Sequence, residues 1–402
     1  MPFLPWVARP AGSAVGLVFS GLILSALAGC ASAGSLSGEA AALCATQTVA
    51  IRTDFPAAGQ HRCLALEDNR FIVRVDPEIA VDPPVNPSPW YAFDIDSATG
   101  GPVEVTLDYG GYWHRYVPRI RRPGEDWRVI DPASLDVFED DHRARMALDL
   151  PRGETRIAAQ PPRAPADIAR WTDRFAQAHG FETVTYGRSR EGRPLRGVLA
   201  GPADAGRLVV ALTRQHPPEL SGARAFEAFS AALAGALGRD EMPGYRVLFL
   251  PLVNPDGIAN GHWRLNAGGV DLNRDWFEAG EPETASLQAL IEREARDRQV
   301  VAFLDFHSTR RTLVYNPPAG VAERGDALMA DMAGRFAAAM DVPPEWVEGH
   351  NADAGTSKAW ALRRFGVAGL TIELADEATP AQSALVGRLA AEAVIAGAAA
   401  PS

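Results

Sequence analysis

The stretch RLVVALTRQHPPELSG, residues 207–222, joins a continuous apolar run to a turn that carries His216 and Glu219. The run RLVVALT (207–213) has the length and composition of a strand that is buried on both faces. Two prolines follow His216, and because proline fixes φ and donates no backbone hydrogen bond, they end the strand and hold the flanking side chains in one geometry. The turn is therefore a candidate metal clamp, although the spacing His-x-x-Glu is weak evidence by itself.

Three more apolar runs of the same kind follow, and stretches with helical spacing lie between them. The predicted strands are 207–213, 245–251, 300–306 and 367–373, and the predicted helices are about 168–178, 220–237, 282–297 and 326–340. Apolar strands that alternate with helices form a mostly parallel sheet that is covered on both faces. We therefore predict an α/β domain over residues 167–398, with a mostly parallel (mixed) sheet and helices on both faces.

Residues 66–157 have a different pattern, which predicts a small antiparallel β-sandwich domain in front of the α/β domain. Apolar and polar residues alternate over 103–109 and again in WYAFDID (90–96), which is the period of half-buried strands. The segment 112–120 is predicted to continue this strand pattern. The Pro- and Ala-rich segment 158–166 is predicted to be the linker between the two domains.

The aromatic residues of the predicted sandwich are interpreted as core residues and cross-strand pairs. A platform for a ligand is the alternative interpretation. The residues concerned are Trp90, Tyr91, Tyr112, Trp113, Tyr116 and Trp127.

The N-terminus has the pattern of an export signal. The segment 15–28 is apolar, and LAGC (27–30) resembles a bacterial lipobox. We predict a signal peptide over 1–29, lipidation at Cys30 and an exported lipoprotein that faces the periplasm, with the outer membrane favoured by Ala31. The alternatives are plain secretion, by cleavage after the segment ASA (31–33), and a retained membrane anchor.

Cys44 and Cys63 are the remaining cysteines, and in an exported chain a pair predicts a disulfide rather than two buried thiols. Residues 30–65 are accordingly predicted to be a tether and disulfide segment. The formal net charge of −11 argues against a nucleic-acid partner. Membrane contact is expected only through the N-terminal lipid anchor.

The predicted parallel strands bring polar residues together at one edge of the sheet, because open α/β sheets bind ligands at the carboxyl ends of their strands. His216 and Glu219 follow one strand, His307 follows another, and Glu373 closes a third. Two histidines and one glutamate, with a fourth position left for water, form the pattern of a catalytic zinc site. The patterns HExxH, G-x-S-x-G and the P-loop do not occur in the sequence.

Several motifs resemble those of the zinc carboxypeptidases of the carboxypeptidase A superfamily, over roughly residues 165–398. The likeness is strongest to the cytosolic carboxypeptidase branch and its bacterial relatives. The motifs are YGRSREGRPLRGVLAG (186–201), RQHPPE (214–219), NPDG (254–257), GHWRLNAGGVDLNRDW (261–276), DFHS (305–308), GTSKAWALRRFGVAGLTIE (355–373) and TIEL (371–374).

The resemblance implies one zinc ion per chain, held by His216, Glu219 and His307. It makes Glu373 the general base that accepts a proton from water and returns it to the leaving amine. It makes Asp271 the partner that orients a ligand imidazole.

Three further residues receive substrate roles from the resemblance. Arg264 would polarise the scissile carbonyl, while Asn273 and Arg274 would hold the terminal carboxylate of a peptide or peptide-like substrate. Lys358 is a candidate for reading an acidic terminal side chain, and Arg310 and Arg311 are the other cations considered for that role. Each of these residues taken singly also fits an ordinary solvated surface.

The predicted function is a zinc-dependent metallocarboxypeptidase that removes C-terminal residues from peptides. A same-fold amide hydrolase acting on cell-wall peptides or N-acyl amino acids is one alternative, and a non-catalytic binding lipoprotein is another. No tyrosine follows Tyr315, so the sequence offers no obvious counterpart of the tyrosine that closes over substrate in the digestive carboxypeptidases.

Overall fold

The computed structural model describes residues 44–59, 61–79, 89–322 and 324–399. The predicted signal peptide, the lipobox with Cys30 and the tether up to residue 43 lie outside the described residues. Within the described ranges, no helix combines the length and the apolar composition needed to cross a bilayer.

The N-terminal part of the described chain consists of two facing β-sheets. A six-stranded sheet has the order β1-β2-β5-β11-β7-β8, and a five-stranded sheet has the order β3-β4-β6-β10-β9. The strands are β1 (Cys44–Ala45), β2 (Val49–Arg52), β3 (Arg62–Ala65), β4 (Arg70–Arg74), β5 (Ala92–Ser97), β6 (Gly101–Asp108), β7 (Arg119–Arg121), β8 (Arg128–Val129), β9 (Leu135–Phe138), β10 (Arg143–Leu150) and β11 (Gly153–Ala158), with a short 3-10 turn at Pro132–Ser134.

All strand pairs in these two sheets are antiparallel except β4 and β6, which run parallel. The chain leaves β4, forms β5 in the other sheet and returns as β6, and such a crossover is what a parallel pair requires. The predicted antiparallel sandwich is therefore confirmed in its architecture, with one parallel pair in it.

Two local predictions in the sandwich were wrong. The segment 112–118 is irregular, and only Arg119–Arg121 forms a strand there. β5 is also buried on both faces, because Arg156 binds the buried Asp94 through two hydrogen bonds of 2.6 and 2.7 Å and covers it together with Phe55. A buried carboxylate with a bidentate arginine partner breaks the alternation that the sequence suggested.

The sandwich begins at Cys44, earlier than the predicted start at residue 66. β1, β2 and β3 fall in the segment predicted as tether and disulfide, and they pair with strands of both sheets. The Cys44–Cys63 disulfide is confirmed, with the two Cα atoms 5.7 Å apart. It joins β1 of the six-stranded sheet to β3 of the five-stranded sheet, so it ties the two layers at their edge.

The C-terminal part is built around an eight-stranded mixed sheet with the order β12-β13-β15-β14-β16-β19-β17-β18. Its strands are β12 (Glu182–Arg188), β13 (Pro194–Ala200), β14 (Arg207–Thr213), β15 (Tyr245–Leu250), β16 (Gln299–Thr309), β17 (Leu313–Asn316), β18 (Glu345–Glu348) and β19 (Gly369–Ala375). The helices are α1 (Pro165–His179), α2 (Leu220–Gly238), α3 (Pro255–Ala259), α4 (Pro282–Ala295), α5 (Asp326–Ala339), α6 (Ser357–Phe365) and α7 (Pro380–Ala399), with a 3-10 turn at Leu272–Arg274.

The central strands β15, β14, β16 and β19 are parallel to one another, as the apolar runs predicted. Helices α1, α2, α5 and α7 pack on one face of the sheet, and α4 and α6 pack on the other. The prediction of an α/β domain with helices on both faces is therefore confirmed.

The sandwich and the α/β part form one compact unit. Arg115 binds Asp376 through hydrogen bonds of 2.8 and 3.1 Å, and the indole of Trp263 donates to the hydroxyl of Tyr116 at 3.1 Å. Gln160, in the predicted linker, is buried and donates to the carbonyl of Asp376 at 3.0 Å. These contacts fix the sandwich beside the carboxyl end of β19.

We predict that replacing Cys44→Ser and Cys63→Ser together lowers the free energy of unfolding by about 3 kcal/mol, because the disulfide closes a short loop in the unfolded chain. The thermal unfolding midpoint of the double variant should fall by several degrees in a calorimetric scan. Wild-type protein in reductant should unfold at the same temperature as the variant, and an unchanged midpoint in both samples would contradict the prediction.

Candidate metal centre and its cavity

The candidate site lies at the carboxyl edge of the parallel strands. β14 ends at Thr213 and the turn that follows carries His216, while Glu219 directly precedes α2. His307 lies in β16 and Glu373 in β19, and these two residues are partners in the register of the parallel pair. The sheet itself therefore brings residues from three separate parts of the chain to one place.

His216, Glu219 and His307 form a buried group whose ligand atoms all lie within 4.8 Å of one another. Nδ1 of His216 is 2.8 Å from one carboxylate oxygen of Glu219, and Nδ1 of His307 is 2.8 Å from the other. The two Nδ1 atoms are 3.2 Å apart. Both imidazoles thus turn the same nitrogen toward the same carboxylate.

The outward nitrogens of the two imidazoles each meet a second carboxylate. Nε2 of His216 is 3.0 Å from Asp271, and Nε2 of His307 is 2.9 Å from Asp305. A carboxylate that accepts the Nε2 proton leaves Nδ1 as the free ligand atom, which is the arrangement common in zinc sites. Asp271 was named from the sequence, whereas Asp305 was missed although the motif DFHS contains it.

The donor set fits a divalent cation. Burial by itself raises the pKa of Glu219, but the imidazoles of His216 and His307 hold it well below its ordinary value. Burial opposes protonation of His307, yet Asp305 and Glu219 raise its pKa well above the ordinary value. These side chains therefore favour a positive charge between them, and two nitrogens with one carboxylate are ligands that zinc prefers.

Glu373 presents an unsatisfied oxygen beside this group. Its Oε2 is buried and has no hydrogen-bond partner among the described residues. Burial raises the pKa of Glu373 to about 7, with His307 opposing the rise and Glu219 adding to it. A carboxylate with a pKa near neutrality is suited to accept and return a proton at physiological pH.

A cavity of about 210 Å³ opens over the metal-ligand group and is rich in cationic side chains. His216, Glu219 and Glu373 line it on the side of the sheet. The cations that line it are Arg115, Arg264, Arg274 and Lys358. A cavity of this charge suits an anionic ligand.

The loop 261–276 supplies three of the predicted substrate residues. Arg264 binds Asp271 through Nε at 2.8 Å and Nη2 at 2.7 Å, which holds its guanidinium at the cavity wall. Asn273 is buried and its side-chain oxygen accepts the backbone N–H of Ser357 at 3.0 Å. Arg274 lines the cavity and is more exposed.

Of the three cations considered for an acidic terminal side chain, Lys358 lines this cavity. Its ammonium donates to the backbone carbonyl of His350, and burial, reinforced by Arg274, lowers its pKa to about 8. Arg310 lies in a neighbouring groove instead, and the exposed Arg311 forms an ion pair of 2.8 Å with Glu345.

Several lining residues were missed by the sequence analysis. Arg115 and Trp263 reach the cavity because the sandwich packs against the α/β part, and no local pattern signals this. Tyr315 and His350 also line the cavity, with their ring centres 4.3 Å apart and the rings stacked. The motif HNAD (350–353) had the same His-x-x-Asp spacing as chance matches and therefore gave no usable signal.

The fold is shared with solved bacterial carboxypeptidases. A metallo-carboxypeptidase from Burkholderia cenocepacia superposes with a TM-score of 0.72 at 20% identity, covering 87% of this chain and 98% of that chain. A metallo-carboxypeptidase from Pseudomonas aeruginosa, solved with (2-guanidinoethylmercapto)succinic acid, superposes with a TM-score of 0.68 at 21% identity, covering 87% of this chain and all (100%) of that one.

The curated relatives match over shorter stretches. An uncharacterized protein of Zymomonas mobilis is 27% identical over 201 residues, which is 47% of this chain and 50% of the relative. Human cytosolic carboxypeptidase 2 is 32% identical over 117 residues, which is 27% of this chain and 13% of the relative. The chain thus matches half or less of the length of these relatives.

A family model matches a longer part of the chain than these curated relatives do. The model described as zinc carboxypeptidase (Peptidase_M14) matches residues 168–388, which is more than half of the 402-residue chain. The matched range contains the metal-ligand group, Glu373 and the cationic residues of the loop 261–276. The chain therefore belongs to the zinc carboxypeptidase family.

Proposed function

We propose that this protein is a zinc-dependent carboxypeptidase that removes the C-terminal residue of a peptide or peptide-like substrate. The observation that supports this most directly is one cavity that lies against the His-Glu-His group and is lined by a glutamate with a buried, unpaired oxygen and by several cations. Metal-assisted hydrolysis of an amide uses the first two, and cations suit the recognition of a free terminal carboxylate.

His216, Glu219 and His307 are the residues that would hold the zinc ion, one per chain. When bound in such a site, zinc lowers the pKa of water and polarises a carbonyl group. Glu373 is the base in this proposal, because Oε2 is free of other hydrogen bonds and the pKa near 7 allows it to take up a proton and release it again. The proton moves from water to Glu373 and then to the leaving amine.

The substrate is held by the cations around the cavity. Arg264 is fixed by Asp271 and stabilises the negative charge that develops on the scissile carbonyl oxygen. Arg274 can form a planar, bidentate pair with the terminal carboxylate, and Asn273 beside it adds an amide. Asp271 binds both Arg264 and the His216 imidazole. It therefore fixes the guanidinium that would face the scissile carbonyl relative to the imidazole that would hold the metal.

The protein is further proposed to be an exported lipoprotein, anchored through Cys30 to the bacterial membrane with the outer membrane favoured. The lipobox pattern LAGC (27–30) motivates this proposal. The disulfide between Cys44 and Cys63 supports it, since structural disulfides persist in oxidising compartments such as the periplasm.

We predict that Glu373→Gln lowers kcat on a C-terminally free peptide by about 10²–10⁴-fold, because the base is lost while the metal donors remain. Mass spectrometry of a mixed peptide set should show loss of single C-terminal residues with wild-type protein, and metal analysis should find one zinc per chain in both proteins. Chelator should abolish the activity, and added zinc should restore it.

Glu392→Gln is the matched control, because Glu392 is an exposed carboxylate on α7 that pairs with Arg335 and does not line the cavity. It should retain wild-type kcat. Full activity in Glu373→Gln, or activity that survives complete removal of metal, would refute the mechanism. Cleavage restricted to small acyl amino acids or cell-wall peptides would instead identify the substrate as a different amide.

We predict that Lys358→Met lowers the preference for Glu over Leu as the terminal residue by about tenfold to a hundredfold in kcat/KM, because a charge-assisted hydrogen bond is lost. In wild-type protein the same preference should fade as the pH rises past about 8, where Lys358 loses its proton. Arg274 and His350 are the charged or titratable neighbours: Arg274 lowers the pKa of Lys358, whereas burial together with Lys358 and Arg274 lowers the pKa of His350.

Arg311→Met is the control for this experiment, because Arg311 is exposed and paired with Glu345 outside the cavity. Its Glu-over-Leu preference should equal that of the wild type. If Lys358→Met also keeps the wild-type preference, Lys358 does not read the terminal side chain.

We predict that the full chain expressed in a diderm bacterium incorporates labelled palmitate and sediments with the outer membrane. Cys30→Ala should lose the label and move to the soluble periplasmic fraction, because the lipid is attached through that sulfur. A label that persists in Cys30→Ala, or a wild-type protein without label, would exclude lipidation at this residue.

A further inference from the structure

A groove leads away from the metal cavity along the junction between the sandwich and the α/β part. We call it the outer groove, and six of the residues that line it mark its two walls. From the sandwich they are Trp113, His114 and Glu139, and from the α/β part they are Thr309 and Arg310, with Arg115 between the two walls.

The outer groove is continuous with the metal cavity. Its inner section, of about 330 Å³, shares Arg115, Trp263 and Thr309 with the cavity. Its outer section, of about 600 Å³, shares Trp113, Arg115 and Arg310 with the inner one. Both volumes lie in the range of clefts that bind ligands.

Trp113 is an exposed indole on a rigid support. Its side chain is 60% exposed, which is unusual for the largest apolar residue of a sandwich. The loop around it is held on both sides, because the hydroxyl of Tyr109 is 2.9 Å from Nδ1 of His114 and Nδ1 of His142 is 3.1 Å from the carbonyl of Tyr112. The ring of His142 also packs edge-on against the indole at 5.6 Å. An aromatic surface that is held in place before binding loses little entropy when a ligand packs on it.

The floor of the outer groove is also fixed. Arg115 is bound to both oxygens of Asp376, donates to the carbonyl of Ser308 at 3.4 Å and lies 5.2 Å from the ring centre of Trp263. Its charge is balanced by Asp376. Glu377, which also lines the groove, is paired with Arg119 at 2.7 Å. In the described part of the chain, Arg310 and Glu139 have no ion-pair partner, so the unpaired charges of the groove are one of each sign.

The arrangement of the cavity gives the groove a direction. Arg274 and Lys358, which are the cations suited to a terminal carboxylate and its side chain, line the metal cavity and are not part of either groove section. A carboxypeptidase substrate has one residue beyond the scissile bond, and the rest of the chain must leave on the other side of the metal donors. The groove past Thr309 and Trp113 is an exit that is continuous with the metal cavity.

We propose that the outer groove binds the substrate residues that precede the scissile bond, with Trp113 packing on one of their side chains. The occupant is an extended peptide rather than a small N-acyl amino acid. The groove's balanced charges favour contacts through the peptide backbone and an apolar or aromatic side chain over selection by net charge. This inference rests on the proposed carboxypeptidase function, and it makes the sandwich a part of substrate recognition.

The test is the ratio of kcat/KM for a long substrate to that for a short one. An N-acetylated hexapeptide with phenylalanine residues at its upstream positions is compared with an N-acetylated dipeptide that has the same two C-terminal residues. Wild-type protein should prefer the hexapeptide, and Trp113→Ala should reduce this ratio about tenfold, because one aromatic contact is removed. Trp113→Phe should recover most of the ratio.

Phe138→Ala is the matched control, since Phe138 is a partly exposed aromatic at the end of β9 that does not line the groove. Its ratio should equal that of the wild type. An equal ratio in Trp113→Ala and wild type, with unchanged thermal midpoints, would overturn the inference while leaving the carboxypeptidase function intact.

A binding measurement separates the two proposals. The hexapeptide carrying an N-terminal fluorescein is titrated with zinc-loaded Glu373→Gln protein, with and without Trp113→Ala, and its anisotropy is recorded. Weaker binding in the double variant supports peptide binding by the outer groove, even if the wild type cleaves no peptide. Equal binding by both proteins overturns the proposed role of the groove.

Discussion

The parallel register of β14, β16 and β19 is the constraint on which the site depends. It pairs Thr213 with Phe306 and His307 with Glu373, so the ends of three strands coincide at one edge. The helix α2 then packs directly on β16: a Cβ at Gly222 would lie 2.3 Å from the carbonyl oxygen of His307. The absence of a side chain at this position lets the helix that follows Glu219 approach the strand that carries a second metal donor.

The charges around the metal donors are organised in two layers. Buried carboxylates, Asp271 and Asp305, hold the outer nitrogens of the two imidazoles and thereby set which nitrogen faces inward. The cavity above carries more cationic than anionic side chains, so it attracts the negative groups of a substrate. Asp271 belongs to both layers, since it binds His216 on one side and Arg264 on the other. A change at this carboxylate therefore affects metal geometry and substrate binding together.

The sandwich is part of the active-site architecture and not a separate module that happens to precede it. Glu78 accepts the backbone N–H groups of Arg264 and Leu265 at 2.8 and 2.9 Å, so it supports the loop that carries the oxyanion candidate. Arg115 crosses from the sandwich to Asp376, just beyond the strand that carries the proposed base. Because these partners are buried or nearly so, separating the two parts would leave charged groups unpaired, which is costly.

The sequence by itself determined the elements whose signal is local. The apolar run 207–213 coincides with β14, the helical spacing from residue 220 predicted α2, and the ordered motifs identified His216, Glu219 and His307 as candidates. Local periodicity and motif order are properties of the chain, so they can be read without coordinates.

The tertiary structure decided everything that depends on which distant residues meet. Asp94 is buried because Arg156 pairs with it across the sheet, Lys358 reaches the cavity whereas Arg311 does not, and Arg115 becomes an active-site wall because two layers pack together. Those outcomes follow from long-range packing and charge pairing, which no short stretch of sequence contains.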